Sequence, residues 1–361
     1  MSGYEKESDR TRRLLSEHSR NYPQLQAEDV FKYLFQSAFG CEHLVSDEAT
    51  VLNYILREYE SVSCAEKRHT EALDGEYGRV YLSCLRGGLR AQTLARLFYL
   101  SARKEDGKGA LEAKLDVARE MIDDGALPLD ADDFDRKLGA WRDAGYPAIR
   151  HSDIFRNTYH PAYRVISNRY VRLLPLFTEI DRLLDEKGRV TVAIEGGSAS
   201  GKTTLSVLLG DVYGCNVFHT DDFFLRPEQR TEQRLCEIGG NIDRERLADE
   251  IITPLIEKRA VNYRRFDCGT GMLSEAVTVL PKALTVVEGV YSMHPAFGGY
   301  YDLGVYLDID PERQRKRILK RNTPRLAQRF FDEWIPLENA YFSKTSPKDK
   351  CGVVIPADGD E

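Results

Sequence analysis

The run Gly196-Gly197-Ser198-Ala199-Ser200-Gly201-Lys202-Thr203 has the spacing GxxxxGK[ST], and Thr204 carries it into an apolar stretch. Residues of these types at this spacing hold phosphate. Glycines let the backbone wrap an anion at angles that a β-carbon forbids. Successive N–H groups and the first turn of a following helix then point at the negative charge. Lys202 is placed to bridge the β- and γ-phosphates of a nucleotide, and the Thr203 hydroxyl to ligate Mg2+. The flanks agree, because RVTVAIE reads as a strand leading in and TLSVLLG as a helix leading out. Gly196 to Thr204 are therefore the expected contacts to ATP.

Binding a nucleotide leaves open what is done with it, and three further patterns bear on that. Asp221 and Asp222 close the apolar run VFHTDDFF. Ligands of open α/β sheets bind outside the carboxyl ends of strands. An acceptor hydroxyl needs a base or an orienting carboxylate, and Mg2+ needs oxygen ligands. Asp221 is read as the first and Asp222 as the second. Glu288, followed by Gly289, repeats the arrangement at the end of LTVVE. A buried acid is costly without a partner, so Glu288 should face the metal or another cation. Arg313, Arg317, Arg321, Arg325 and Arg329 recur every four residues, with Pro324 breaking the run as in a hinged lid. Planar guanidinium forks suit phosphate in transit.

The elements that position these groups are legible in the same way. The runs 189–195, 215–219, 284–288 and 303–309 are short, β-branched and without alternation. Such runs read as buried parallel strands. Alternating with helical stretches, they predict a parallel sheet covered by helices on both faces. The texture changes at Lys187-Gly188. Before it, apolar residues recur at helical spacing, as with Val30, Phe31, Leu34, Phe35 and Ala38 in 27–39, behind the acids Glu28 and Asp29. Segments 89–103, 110–123, 131–143 and 162–186 repeat the pattern. The expected organisation is an all-α domain over 1–187 and a P-loop α/β domain over 188–361. Polar groups beside the apolar patterns of the first domain are Glu42, His43, Glu76, Arg79, His151, His160, Tyr163 and Arg164. They fit a docking or substrate-selecting role better than a second catalytic site.

Composition narrows the classes. Of 361 residues 42% are apolar and 30% charged, and the net charge of −7 gives no footprint for nucleic acid. No apolar run approaches the roughly 20 residues that span a bilayer. MSGYEKESDRTRR lacks the apolar core of a signal peptide, so a cytoplasmic location is expected. The seven cysteines are odd in number and form no CxxC, which speaks against zinc and disulfides and for reduced, mostly buried thiols.

Assembled in order over roughly 189–345, GGSASGKTT, TDDFF, GGNIDRERL, YRRFDC, VVEGVYSMHP, YDLGVYLDIDPERQRKRILKRN and WIPLENAYF resemble the uridine kinase and phosphoribulokinase branch of P-loop kinases. The likeness is greatest to bacterial proteins called uridine kinase-like. It implies transfer of a phosphoryl group from Mg2+-bound ATP to a hydroxyl of a small metabolite. By this resemblance Asp221 matches the base of the D-[SD]-F-[YF] motif, and Asn241 and Asp243 sit where an N-F-D segment reaches the acceptor. Phe266 and Asp267 match a Tyr-Asp step, and Arg317 and Arg321 lie in the lid. The chain also departs from the pattern. The uridine-reading histidine is absent from FDCGTGMLSE, and Phe224 and Phe266 stand where the family has tyrosines. Phosphotransferase chemistry survives these losses, but uridine as acceptor does not follow. Nucleoside, sugar, sugar phosphate and vitamin precursor stay open, as does homo-oligomerisation. A reading from another class is an ATP-binding switch, in which nucleotide state controls the grip of the helical domain on a partner. The acidic pair and basic lid speak against it, since a switch needs neither.

Overall fold

A computed structural model of the chain describes residues 3–41, 47–63, 67–102 and 107–357. Glu42 and His43, singled out above, and Cys64, one of the seven cysteines, lie outside these. The chain divides into two units, Met1–Asp181 and Arg182–Glu361.

In the first unit the helix Ala27–Phe39 buries the expected stripe of Val30, Phe31, Leu34, Phe35 and Ala38. Asp29 accepts from the Gln26 backbone N–H and closes the helix start. Phe31 packs edge-on against Phe134 at 4.9 Å and flat against Trp141 at 5.3 Å between ring centroids. The unit is not all-α, however. Strands β1 (Thr70–Ala72), β2 (Tyr77–Tyr81) and β3 (Tyr163–Ser167) form an antiparallel sheet in the order β1-β2-β3. The predicted helix 162–186 therefore begins as a strand, and helix resumes only at Asn168–Val171 and Leu174–Lys187. Val165 and Ile166 satisfy a helical period as well as a strand, and pairing with β2, where Arg79 lies opposite Val165, decides between them.

The second unit is a five-stranded parallel sheet flanked by helices. Its strands are β4 (Val190–Glu195), β5 (Asn216–His219), β6 (Leu284–Glu288), β7 (Leu303–Asp308) and β8 (Val353–Pro356), in the order β8-β7-β4-β6-β5. Four were expected. The fifth, β8, is a four-residue edge strand ending in Pro356, the sheet position that tolerates proline. Ala193, Phe218, Phe223, Val287, Tyr291 and Tyr341 belong to one buried cluster between sheet and helices. Because β4 lies between β6 and β7, the loop that follows it opens into a crevice at the carboxyl ends of the strands.

The six described cysteines are free, but only Cys41 and Cys84 are buried. Cys215, Cys236, Cys268 and Cys351 lie outside regular elements, where solvent reaches them, so the expectation of mostly buried thiols does not hold. Among the described residues no helix is long and apolar enough to cross a membrane.

Candidate active site

The phosphate loop starts where β4 ends. Gly196 has φ 141°, Ala199 61° and Gly201 104°, so the backbone turns repeatedly through conformations that disfavour side chains. A β-carbon on Gly196 would come within 2.6 Å of the Leu307 carbonyl oxygen. Lys202, buried at the start of the helix Lys202–Tyr213, donates its ammonium to the carbonyls of Gly196 at 2.9 Å and Gly197 at 3.0 Å. Other side chains hold the loop from outside. Gln314 donates to the Ser198 carbonyl at 2.9 Å and Arg317 to that of Ala199 at 3.2 Å. Glu338 accepts from the Ser198 N–H at 2.9 Å and from the Ser198 hydroxyl. The Ser200 hydroxyl is buried with no partner. Thr204 faces outward, exposed on the helix.

The sheet register brings the acids to this loop. Glu288, the last residue of β6, stands opposite Ile194 of β4 and His219 of β5. Its Oε1 accepts from the Thr203 hydroxyl at 2.9 Å and lies 2.6 Å from His219 Nδ1. That bond to Glu288 raises the His219 pKa against the opposing effect of burial. The partner that Glu288 faces in the chain itself is thus the His219 imidazole. Asp221 and Asp222 sit in the turn Thr220–Phe223 directly after β5. Asp221 reaches solvent, yet protein crowds it on its other sides and this desolvation raises its pKa; Lys202 and His219 oppose the rise, while Glu288 and Asp222 add to it. Burial likewise raises Asp222, whose Oδ2 lies 3.5 Å from Arg265 Nε but has no hydrogen-bond partner.

The residues expected at the acceptor separate. Asn241 is beside the acid turn, since its carbonyl accepts from Leu225 N–H at 3.2 Å, and its side-chain Oδ1 is buried without a partner. Asp243 is occupied: Oδ1 caps the helix Arg244–Leu247 by accepting from Arg246 N–H at 3.1 Å, and Oδ2 accepts from Gln229 at 2.8 Å. Phe266 is buried in a short hairpin against Leu273. Asp267 ends the first strand of that hairpin, exposed, and accepts from Gly269 N–H of the turn at 2.7 Å. The basic run splits as expected, into the helices Pro311–Arg321 and Pro324–Arg329 with Thr323 capping the second. Arg317 reaches the phosphate loop, whereas Arg321 is exposed with its guanidinium 5.6 Å from the Phe330 ring centroid.

Four groups at this site carry no sequence-based expectation: Glu195, His219, Tyr291 and Glu338. Glu195 is fully buried and accepts from the N–H groups of Gly196, Tyr291 and Met293 and from the Tyr341 hydroxyl, at 3.0, 3.3, 3.2 and 2.9 Å. Burial pushes its pKa up to about 7. An acid immediately before the first loop glycine, and a histidine next to the acidic pair, were the signals available for two of the four.

No protein-family model matches the chain, and no curated protein does. Solved structures do match part of it. A possible uridine kinase from Bacillus stearothermophilus aligns at 23% identity over 50% of this chain and 99% of its own, with a TM-score of 0.39. A protein from Silicibacter sp. TM1040 described as a candidate fructose transport system kinase aligns at 21% identity over 43% of this chain and 85% of its own, with a TM-score of 0.37. TT1252 from Thermus thermophilus aligns at 17% identity over 48% and 90% of the two chains, with a TM-score of 0.28.

Proposed function

We propose that this chain is an ATP-dependent phosphotransferase that moves the γ-phosphoryl group to a hydroxyl of a small metabolite. The observation that carries the reading is the meeting of three groups at one crevice: the phosphate loop with its buried Lys202, the Thr203–Glu288 pair, and the Asp221 carboxylate. A nucleotide-binding protein without an acceptor needs the first two to hold Mg2+-ATP; the Asp221 carboxylate is what such a protein does not need.

The residues present fit Mg2+-bound ATP. Gly196 provides a cradle that a β-carbon would fill, and Ser200 Oγ and Asp222 Oδ2 are buried polar atoms with no hydrogen-bond partner among the described residues. The loop from Gly196 to Thr203 and the Lys202 ammonium would hold the phosphates. Thr203 would hold the metal, with Glu288 or Asp222 assisting through water. Bound there, Mg2+-ATP supplies the phosphoryl group and the charge neutralisation its transfer needs. The chain's own part is positional and electrostatic. Asp221 orients the acceptor hydroxyl and takes its proton; burial raises its pKa and so makes its carboxylate more basic than a solvated aspartate. Lys202 stabilises negative charge that develops on the transferred group. Arg317 steadies the loop backbone.

The test is ADP release from the full chain with ATP, Mg2+ and pooled nucleosides, sugars and vitamin precursors. The reading requires turnover that an acceptor stimulates. Slow hydrolysis indifferent to every pool would favour the nucleotide switch. Uridine is expected to be a poor acceptor, because the groups that would read a pyrimidine edge are missing around Phe266 and Phe224. Efficient uridine phosphorylation, with kcat/KM on the order of 10⁵ M⁻¹s⁻¹, would restore the plain uridine kinase reading.

A further inference from the structure

The side chains that touch the phosphate loop divide by what they take from it. Lys202, Gln314 and Arg317 donate to the carbonyls of Gly196, Gly197, Ser198 and Ala199, atoms that an incoming anion does not use. Two acids take N–H groups, which an anion does use. Glu195 combines the Gly196 N–H with those of Tyr291 and Met293 and with the Tyr341 hydroxyl, and so ties the start of the loop into the sheet. Glu338 is given to Ser198 alone. Its Oε2 accepts from the Ser198 N–H at 2.9 Å and its Oε1 from the Ser198 hydroxyl.

The placement is rigid. Glu338 and Tyr341 are the buried residues of the helix Ile335–Thr345, three apart and therefore on one face. Tyr341 anchors that face by donating to Glu195 at 2.9 Å. Glu338 is thus carried to Ser198 by the helix itself, and it is only 4% exposed. Among the described residues it pairs with no lysine or arginine. A carboxylate is a poor choice for a mere strut here. Glutamine also accepts from an N–H and a hydroxyl, and burying it costs much less than burying a charge without a cationic partner. What the charge adds is an opponent for another anion at the same N–H.

We infer that Glu338 is an internal competitor for the nucleotide: its carboxylate holds the Ser198 N–H that a phosphate of Mg2+-ATP takes, and binding must release it. This rests on the phosphate-loop part of the phosphotransferase reading and adds a control on that site. The release has a consequence for protons. The ionisable groups that face Glu338 are Lys202 on the helix after the loop, Asp221 in the acid turn, Tyr291 after β6 and Tyr306 of β7. Burial raises the Glu338 pKa; the two bonds from Ser198 and the Lys202 charge oppose the rise, and Asp221 adds to it. A phosphate arriving at Ser198 removes those bonds and brings more negative charge. It therefore drives the pKa further up, and Glu338 takes on a proton as the nucleotide binds.

Calorimetry on the full chain with Mg2+-ATP is the test. Wild type at pH 7.5, titrated in two buffers of different ionisation enthalpy, should take up protons on binding. Glu338→Gln should bind Mg2+-ATP about tenfold or more tighter than wild type at pH 8, and with a smaller proton uptake. The difference in affinity should narrow at pH 6, where the wild-type carboxylate is more often protonated. Equal or weaker binding at pH 8 by a variant that melts cooperatively overturns the inference, because losing a strut leaves affinity level or reduced. Absence of proton uptake by wild type overturns it as well, and that arm needs no variant. Failure of the underlying reading looks different: neither chain then binds Mg2+-ATP at either pH.

Discussion

In the N-terminal unit the buried carboxylate of Glu71 meets Arg79 at 3.1 Å, His18 at 2.6 Å and the Tyr81 hydroxyl at 2.7 Å. In the C-terminal unit the buried carboxylate of Glu195 meets only backbone N–H groups and one tyrosine hydroxyl. Burial opposes the charge on both. Around Glu71 it is outweighed by Arg79 and His18, and the pKa falls well below the ordinary carboxylate value; around Glu195 it prevails, and the pKa rises to about 7. The contrast extends to their neighbours. Asp29 is held low, despite burial, by bonds from His151, Gln26 and Ser152. Burial drives His151 down to about 4, so it is neutral near pH 7; its Nδ1–H donates to Asp29 and its Nε2 accepts from the Tyr163 hydroxyl at 2.6 Å. Arg79 and Tyr163, both singled out in the sequence, are therefore members of one cluster, with the guanidinium 4.5 Å from the ring centroid. Arg164 pairs instead with Glu58 at 2.8 Å. In the other unit Asp221, Asp222 and Glu338 are all raised by burial. A cluster whose charges cancel internally is what a structural core requires. Acids left above their normal pKa beside the Gly196–Thr203 loop are what the proposed Mg2+-nucleotide site would require, its remaining cations coming with the ligand.

The sharpest way to break this contrast is to remove one charge from each side. Asp221→Asn should cost about 10²–10⁴-fold in turnover, the usual loss of a general base, while the fold and the Mg2+-ATP affinity stay near wild type. A large fall in affinity with a modest fall in rate would make Asp221 a metal residue and Asp222 the better base. Arg79→Met should act on stability instead. It takes from the buried Glu71 carboxylate the guanidinium that lies 3.1 Å from it, at a cost of about 3–5 kcal/mol in urea unfolding. A loss under about 1 kcal/mol would mean that the N-terminal cluster is not held together by charge.

Lys202→Ala removes the cation set among the acids of the second unit. Turnover should drop by about 10²–10³-fold or more with cooperative melting preserved. Near wild-type activity would refute the phosphate-loop assignment. The smallest effect is one of pH. Glu195, raised in the fold, contributes stability that is complete below about 4.5, its ordinary value, and is lost as pH climbs through about 7. Glu71 and Asp29, lowered in the fold, contribute stability that is present above the ordinary carboxylate range and is lost only as pH falls through their depressed values. Between pH 7.5 and 5, hydrogen exchange corrected for intrinsic rates should therefore show β4 and β6 gaining on the order of 1–3 kcal/mol of opening free energy. The sheet β1-β2-β3 should instead lose protection over the same range, because His151, held neutral by burial with its pKa pushed down to about 4, becomes protonated in the unfolded chain below about 6.5. Protection in β4 and β6 that falls on acidification would mean Glu195 is ionised throughout, and the contrast between the units would close.

What the sequence determined by itself is local and contiguous. The phosphate loop is eight consecutive residues whose conformations and helix start are written in glycine, lysine and threonine, so it needed no partner to be recognised. Strands β4 to β7 were legible for a similar reason: a buried parallel strand is apolar on both faces along its own length. The acidic pair at 221–222 and Glu288 followed because the pair comes directly after such a strand and Glu288 ends one. Tertiary structure decided whatever depends on residues far apart in the chain. β3 is a strand only because β2 lies beside it. Ser198 and Glu338 are 140 residues apart, and Glu195 and Tyr341 146. His219 gains its partner by sheet register across 69 residues. Asp243 and Asp267 carried the right chemistry in sequence, yet one was drawn into capping a helix and the other into a hairpin turn. A side chain's type records which bonds it is able to make. Which one it makes is set by the backbone that reaches it first, and for Tyr291 that backbone is a turn pinned by the buried carboxylate of Glu195 on the neighbouring strand.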